Sequence, residues 1–281
     1  PLPLGLSGWL AARTRRAPFV FNVQDVFPDV AVELGAITNE RVIAAASWLE
    51  RFLYRRADAV TVLSEDLRDN VAGKLRGARP ERVHVIPNFV DTERIAPADP
   101  ENAYRREYGL SGRTVVMYAG NVGLSQSLDL VVEAARLFRD RDDVVFVVNG
   151  GGSARADLER SAEGLDNLRF VDMQPRERLP EVLAAGDIHL VPLRRGLARS
   201  SVPSKLYSIL AAGRPVLASV DAGTEVANTV ERAGAGIAVG PEDPDAFCDA
   251  LARLLDDPAG RAAMGESGRR FVEGWVSPAA V

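Results

Sequence analysis

From Thr114 onward the chain alternates short, β-branched apolar runs with stretches at helical spacing, and this alternation leaves few folds open. The runs are TVVMY (114–118), VVFVV (144–148), LRFVD (168–172), DIHLV (187–191), PVLAS (215–219) and GIAV (236–239). Strands this short and this continuously apolar are buried on both faces, as in a parallel sheet. Between them, residues 126–138, 155–163, 177–185, 204–212, 224–232 and 244–255 carry helical periodicity. Six strands with helical crossovers predict a complete doubly wound, Rossmann-type domain.

The earlier part repeats the pattern and stops short. Strands are expected at 18–23, 58–63 and 82–86, and helices at about 6–15, 39–56 and 65–75. Three strands make half of a Rossmann domain, so the chain is expected to start midway through its N-terminal domain; it opens on Pro1 rather than Met. The expected division is residues 1–90 for the C-terminal half of that domain and 91–106 for a linker. Residues 107–270 then form the complete Rossmann-like domain, and 271–281 the start of a tail returning toward the first.

Composition narrows the partners. The 281 residues are 47% hydrophobic and 26% charged, the balance of a globular protein. A net charge of -5 argues against nucleic acid, whose phosphates demand a basic face. No apolar run approaches the roughly 20 residues of a membrane span. The lone Cys248 excludes an internal disulfide, and a cytoplasmic location is expected.

In the strand order 3-2-1-4-5-6, the ligand crevice opens at the C-terminal ends of the first and fourth strands. Those ends feed AGNVGLS (119–125) and PLRRGLARSSVP (192–203), and the second loop runs into a helix beginning near Ser204. A helix start preceded by Ser and Pro offers N–H groups and a positive dipole end to a diphosphate. Lys205 lies there, with Arg194, Arg195 and Arg199 near it, and only one other lysine, Lys74, occurs in the chain. Plain helix capping is the competing account of PSK.

Other signals are weaker. NGGGSAR (149–155) follows the second strand, where a dinucleotide fingerprint does not belong, so Gly150 either lines a nucleotide pocket or makes a tight turn. Asp140 and Asp142 form a nominal DxD in a polar turn with no other ligand near in sequence, and no metal site is expected. His84 and His189 are expected to be packed inside strands, and Cys248 to sit in the core.

The segments AGNVGLSQSLDLVVEAA, VVFVVNGGGSAR, LPEVLAAGDIHLVPL and VPSKLYSILAAGRPVLAS together resemble the GT-B retaining glycosyltransferases of family 4. Within that family they are similar to bacterial amino-sugar transferases of the L-fucosamine type, which build surface polysaccharides. VQDVFPDVAVELG, LERFLYRRADAVTVLSE and VHVIPNFVDTERIAP extend the resemblance over almost the whole chain. It implies an α/β GT-B fold of two Rossmann-like domains, the N-terminal one incomplete here.

By this resemblance the donor diphosphate falls to Gly120, Asn121, Val122 and Gly123 on one side and Ser204 and Lys205 on the other. Gly150 would line the pocket, Asp172 and Met173 would meet the base, and Arg199 would add charge. The family's two glutamates are replaced by Ser200 and Ser208, and its basic pair after the first strand by Asn121 and Gln126. Gln24 and Asp25 stand where the acceptor loop often carries a His, so Asp25, with Gln24, is the candidate for orienting or deprotonating the acceptor; a turn cap is the alternative for Asp25. Lys205 completes the catalytic set by stabilising the departing nucleoside diphosphate. No cofactor is required; the implied substrates are a UDP-sugar and a glycan or polyprenyl-linked acceptor.

Two clusters, LGLSGWLAARTRR (4–16) and RFLYRR (51–56), mix aromatic and aliphatic residues with arginine. They suit either ordinary amphipathic packing or peripheral contact with the inner face of the cytoplasmic membrane. Two other functions remain open: a catalytically silent donor-binding or assembly module, and a nucleotide-sugar epimerase of the same plan.

Overall fold

A computed structural model describes residues 2–76, 79–197 and 200–276. The chain divides into two compact units, Pro1–Asn88 with Gly196–Val202, and Phe89–Arg195 with Pro203–Val281.

The first unit runs α1 (Leu2–Arg15), β1 (Val20–Asn22), α2 (Asp29–Glu33), α3 (Glu40–Arg56), β2 (Ala59–Val62), α4 (Glu65–Leu75) and β3 (Val83–Val85). Its three strands pair in parallel in the order β1-β2-β3, Val20 opposite Ala59 and Val60 opposite Val83. Helix starts follow local chemistry: Asn39 accepts from the N–H groups of Arg41 and Val42, and Ser64 from that of Leu67. Val26, Leu53, Val62, Leu67 and Val71 are fully buried between helices and sheet. Val202, from the short segment that follows the second unit's Arg195, joins the same core.

An ionic knot ties three helices of this unit. Lys74 on α4 lies 2.8 Å from Asp29 on α2 and 2.7 Å from Glu50 on α3. Glu50 is fully buried, accepts a hydrogen bond from the Tyr54 hydroxyl at 2.9 Å, and leaves its Oε2 unpartnered. Burial pushes the Glu50 carboxyl upward, against the lowering effect of Lys74.

The second unit runs α5 (Ala103–Glu107), β4 (Thr114–Ala119), α6 (Asp129–Leu137), β5 (Val144–Asn149), α7 (Arg155–Ser161), β6 (Leu168–Val171), α8 (Leu179–Ala185), β7 (Ile188–Pro192), α9 (Lys205–Ala211), β8 (Val216–Ser219), α10 (Glu225–Ala233), β9 (Gly236–Val239), α11 (Pro244–Asp256) and α12 (Pro258–Trp275). Its six parallel strands lie in the order β6-β5-β4-β7-β8-β9, the 3-2-1-4-5-6 arrangement expected of the pattern. All six residues of β5 are buried. Val116, Tyr118, Phe146 and Val148 pack against α6 and α11, whereas Val115, Met117, Val145 and Val147 pack against Tyr104, Val182 and Ala185 on the other face. Two covered faces are why the strands read as continuous apolar runs.

Some elements depart from the sequence reading. Helix α5 occupies ground expected to be linker, because Asn102 caps it and Arg105 is buried in an ion pair with Asp187 at 2.6 Å. Helix α12 runs to Trp275, past the expected boundary at 270, with Val272 and Val276 in the core. His84 is exposed rather than packed, because its strand has one open face. His189 is fully buried, and Cys248 lies in the core.

Candidate functional site

In the second unit two loops meet back to back at the C-terminal ends of β4 and β5. The N–H of Gly120 donates to Asn149 O, that of Gly150 to Val171 O, and that of Val122 to Gly151 O, each at 2.9 Å. The approach admits no side chain: a Cβ on Gly150 would stand 1.8 Å from Gly120 O, and one on Gly152 2.2 Å from Val122 O. Gly150 thus has a packing reason of its own.

Lys205 opens α9 and reaches over β4. Its Nζ lies 3.6 Å from the centre of the Tyr118 ring and 2.9 Å from where a Cβ on Gly120 would stand. The residue as a whole is half-buried, while its ammonium is buried without a hydrogen-bond acceptor. Burial pulls its pKa down to about 7. The Tyr118 hydroxyl donates to Asn121 O at 2.5 Å, and burial raises its own pKa well above the phenolic range. A buried ammonium with only a ring face beside it is a site prepared for an anion.

The structure redistributes several expected donor contacts. The N–H groups of Gly120 and Val122 are engaged in the loop pairing, and that of Gly123 donates to Gln126 Oε1 at 3.0 Å. Of the four residues of this loop expected at the diphosphate, Asn121 is the exposed one. The Gln126 side chain thus holds this loop closed. Ser204 is exposed and makes no side-chain cap, and Ser208 is half-buried one turn further along α9.

Asp172 and Met173 are exposed beyond β6. Arg155, which the sequence reading did not single out, joins this corner to the glycine loop. Its guanidinium donates to Gly150 O, pairs with Asp172 at 3.0 Å, and lies 5.9 Å over the Phe170 ring. Its place in NGGGSAR was the available signal.

Ser200 belongs to the first unit, where it is fully buried and donates to Glu33 Oε2 at 2.8 Å. Its hydroxyl is therefore engaged inside that unit rather than open to a donor, which corrects the expectation placed on it. Its carbonyl accepts from Val26 N at 2.8 Å, and Ser201 forms an antiparallel bridge with Asp25. Arg199, expected to add charge, lies outside the described residues.

Gln24 and Asp25 follow β1, and the Gln24 side-chain amide donates to Asn22 Oδ1 at 3.0 Å. Both line a cavity of about 160 Å³ with Leu2, Phe21, Phe27 and Tyr54. A carboxylate and an amide at the mouth of an apolar pocket suit a hydroxyl-bearing ligand. Asp140 is 99% exposed beside Arg139, and among the described residues no cluster of His, Cys, Asp and Glu is fit to hold a metal.

A six-stranded doubly wound sheet with a buried, acceptor-free lysine at its switch point, in a chain that also carries a three-stranded parallel unit, defines a two-unit α/β protein. The family described as glycosyl transferases group 1 matches residues 113–257, and the glycosyl transferase 4-like domain matches residues 1–88. The chain belongs to the group 1 glycosyltransferases. It is 32% identical over 256 residues to the Escherichia coli K12 protein named as the colanic acid biosynthesis glycosyl transferase WcaI, covering 88% of this chain and 62% of that one. It is 31% identical over 229 residues to the alpha-D-kanosaminyltransferase of Streptomyces kanamyceticus, covering 79% of this chain and 57% of that one. The chain thus spans about three-fifths of the length of these curated relatives. Among solved structures, Anabaena HepE in complex with UDP-glucose superposes with a TM-score of 0.80 at 16% identity, over 99% of this chain and 73% of that one. The fold is that of the GT-B glycosyltransferases.

Proposed function

We propose that the protein of which this chain is part is a retaining glycosyltransferase that moves a sugar, an N-acetyl amino sugar by preference, from a UDP-sugar to a glycan or polyprenyl-linked acceptor of surface polysaccharide synthesis. The observation that carries this reading is the Lys205 ammonium, buried over Tyr118 without an acceptor at the sheet's switch point. A nucleoside diphosphate leaves with growing negative charge, and a cation already in place stabilises that charge in the transition state. Asn121, Asp172 and Met173 are the exposed residues available to the rest of the donor. Asp25, with Gln24, receives the acceptor hydroxyl and orients or deprotonates it. UDP-glucose bound to HepE supports the donor class, and the sugar transfers named for WcaI and the kanosaminyltransferase support the reaction.

Exposed Leu4, Leu10 and Trp48 stand among the arginines of α1 and α3, which supports a peripheral position at the inner face of the cytoplasmic membrane. Among the described residues no helix is long and apolar enough to cross a membrane. Loss of liposome binding on changing Arg51, Arg55 and Arg56 to Glu tests that position.

A second reading, a donor-binding module without transfer, draws on Ser200 and Ser208 standing where the family carries carboxylates. Incubating the full-length protein with UDP- and GDP-sugars and an acceptor-bearing membrane fraction separates the two. Release of nucleoside diphosphate with labelled product supports transfer; binding without release supports the silent module.

A further inference from the structure

The first unit carries a second, larger cavity that sugar transfer itself does not use, although part of its lining belongs to the membrane face proposed above. It measures about 510 Å³ and opens where α3 and α4 end and β2 and β3 begin. Gln24 and Asp25, by contrast, follow the C-terminal end of β1, so the two cavities open toward opposite ends of the same sheet, with Tyr54 in the wall of both.

Five arginines line it: Arg51, Arg55 and Arg56 from α3, and Arg79 and Arg82 from the connection into β3. None of the five forms an ion pair among the described residues. Two of the neighbouring acids are engaged elsewhere, Glu50 with Lys74 and Tyr54, and Asp58 with the N–H of Phe19 at 2.9 Å. Arg82 uses one nitrogen on Ala57 O at 3.1 Å, which leaves most of its donors for a ligand. Arg56 rests 5.4 Å over the Phe52 ring and 6.0 Å over Trp9. Trp48 stacks on Phe52 at 5.7 Å and is 63% exposed at the rim.

Guanidinium groups gathered from two segments repel one another unless an anion sits among them. Their planar forks match the oxygens of phosphate in a way that lysine does not, and each charged hydrogen bond is strong. We infer that this cavity is a binding site for a phosphate or diphosphate group, separate from the Lys205 site and carried by the first unit alone. It does not depend on sugar transfer. The group arrives either as a free phosphorylated metabolite or as the headgroup of an anionic lipid, whose acyl chains would meet Trp48 and Phe52.

The test uses the full chain with Lys205→Ala, so that the donor site does not contribute. Inorganic pyrophosphate is titrated by calorimetry and by Trp fluorescence, and vesicles of phosphatidylglycerol are compared with phosphatidylcholine by sedimentation. The Arg55→Ala/Arg79→Ala double variant should weaken binding by roughly tenfold per arginine, with Arg55→Lys/Arg79→Lys intermediate. Circular dichroism confirms that the variants fold. Saturable pyrophosphate binding that the variant weakens assigns a free phosphate source. Binding confined to phosphatidylglycerol vesicles and weakened by the same substitutions assigns a lipid headgroup. Failure of both probes to bind, or binding indifferent to Arg55 and Arg79, overturns the inference.

Discussion

The Lys205 ammonium sits 3.6 Å above the Tyr118 ring with no oxygen to receive its protons. Helix α9 supplies the lysine and β4 the tyrosine, so the contact joins two neighbouring elements at the edge where the sheet's strand order reverses. A ring face is a partial substitute for water, which is why burial brings the pKa to about 7.

Donor binding should therefore be linked to protons. Above pH 7 the free Lys205 loses its proton, whereas a bound diphosphate restores it, so the dissociation constant for UDP should rise with pH from about 7 upward. The steepest slope expected is about tenfold per pH unit. Calorimetry between pH 6 and 9, in buffers of different ionisation heat, measures both the slope and the proton uptake. Lys205→Met should weaken binding at pH 6.5 and flatten the profile.

The glycines at the loop meeting differ sharply. Gly150→Ala drives a Cβ into the Gly120 carbonyl and should cost at least about 3 kcal/mol, together with nucleotide binding. Gly151→Ala meets nothing within 4 Å and should leave the melting temperature and UDP affinity close to wild type. Thermal melts of the two variants side by side would expose any error in the packing account.

The ionic knot of the first unit gives a stability prediction. Lys74→Met leaves the buried Glu50 carboxylate and Asp29 without their cation and should destabilise the unit by about 3–5 kcal/mol. Adding Glu50→Gln should recover part of that loss, because the charge left uncompensated is then gone. Urea titrations of the single and double variants measure the coupling.

His189 makes the fold acid-sensitive. It is fully buried with its Nε2 2.9 Å from Leu183 O, and burial lowers its pKa to about 4, against 6.5 for the exposed group. The unfolded chain binds the proton first, so stability is present above pH 6.5 and is lost as pH falls toward 4, by about 3 kcal/mol. His189→Gln should lose less stability across that interval, read from melts at pH 7 and pH 4.5.

The sequence determined the second unit's architecture almost completely. Runs such as VVFVV are legible because a strand covered on both faces has no polar side to interrupt it, and the crossovers between them fix a parallel order. The same logic located the switch point and the two segments that carry Gly120, Asn121 and Lys205. Helix α5 was not legible: five residues are too few for periodicity, and its reason to exist is the buried Arg105–Asp187 pair across 82 positions of sequence.

Only the tertiary structure decided what the candidate residues are free to do. Sequence order puts Ser200 a few residues before Lys205, yet the fold buries Ser200 against Glu33 in the first unit and leaves Lys205 to the second. The N–H groups of Gly123 and Val122, expected at the diphosphate, are bonded to Gln126 and Gly151. The five-arginine cavity needed both α3 and the connection into β3, of which the sequence had revealed only the first. Periodicity reports which face a residue turns to its own core. Which donors remain unpaired is set by neighbours distant in sequence, and only the folded chain brings those together.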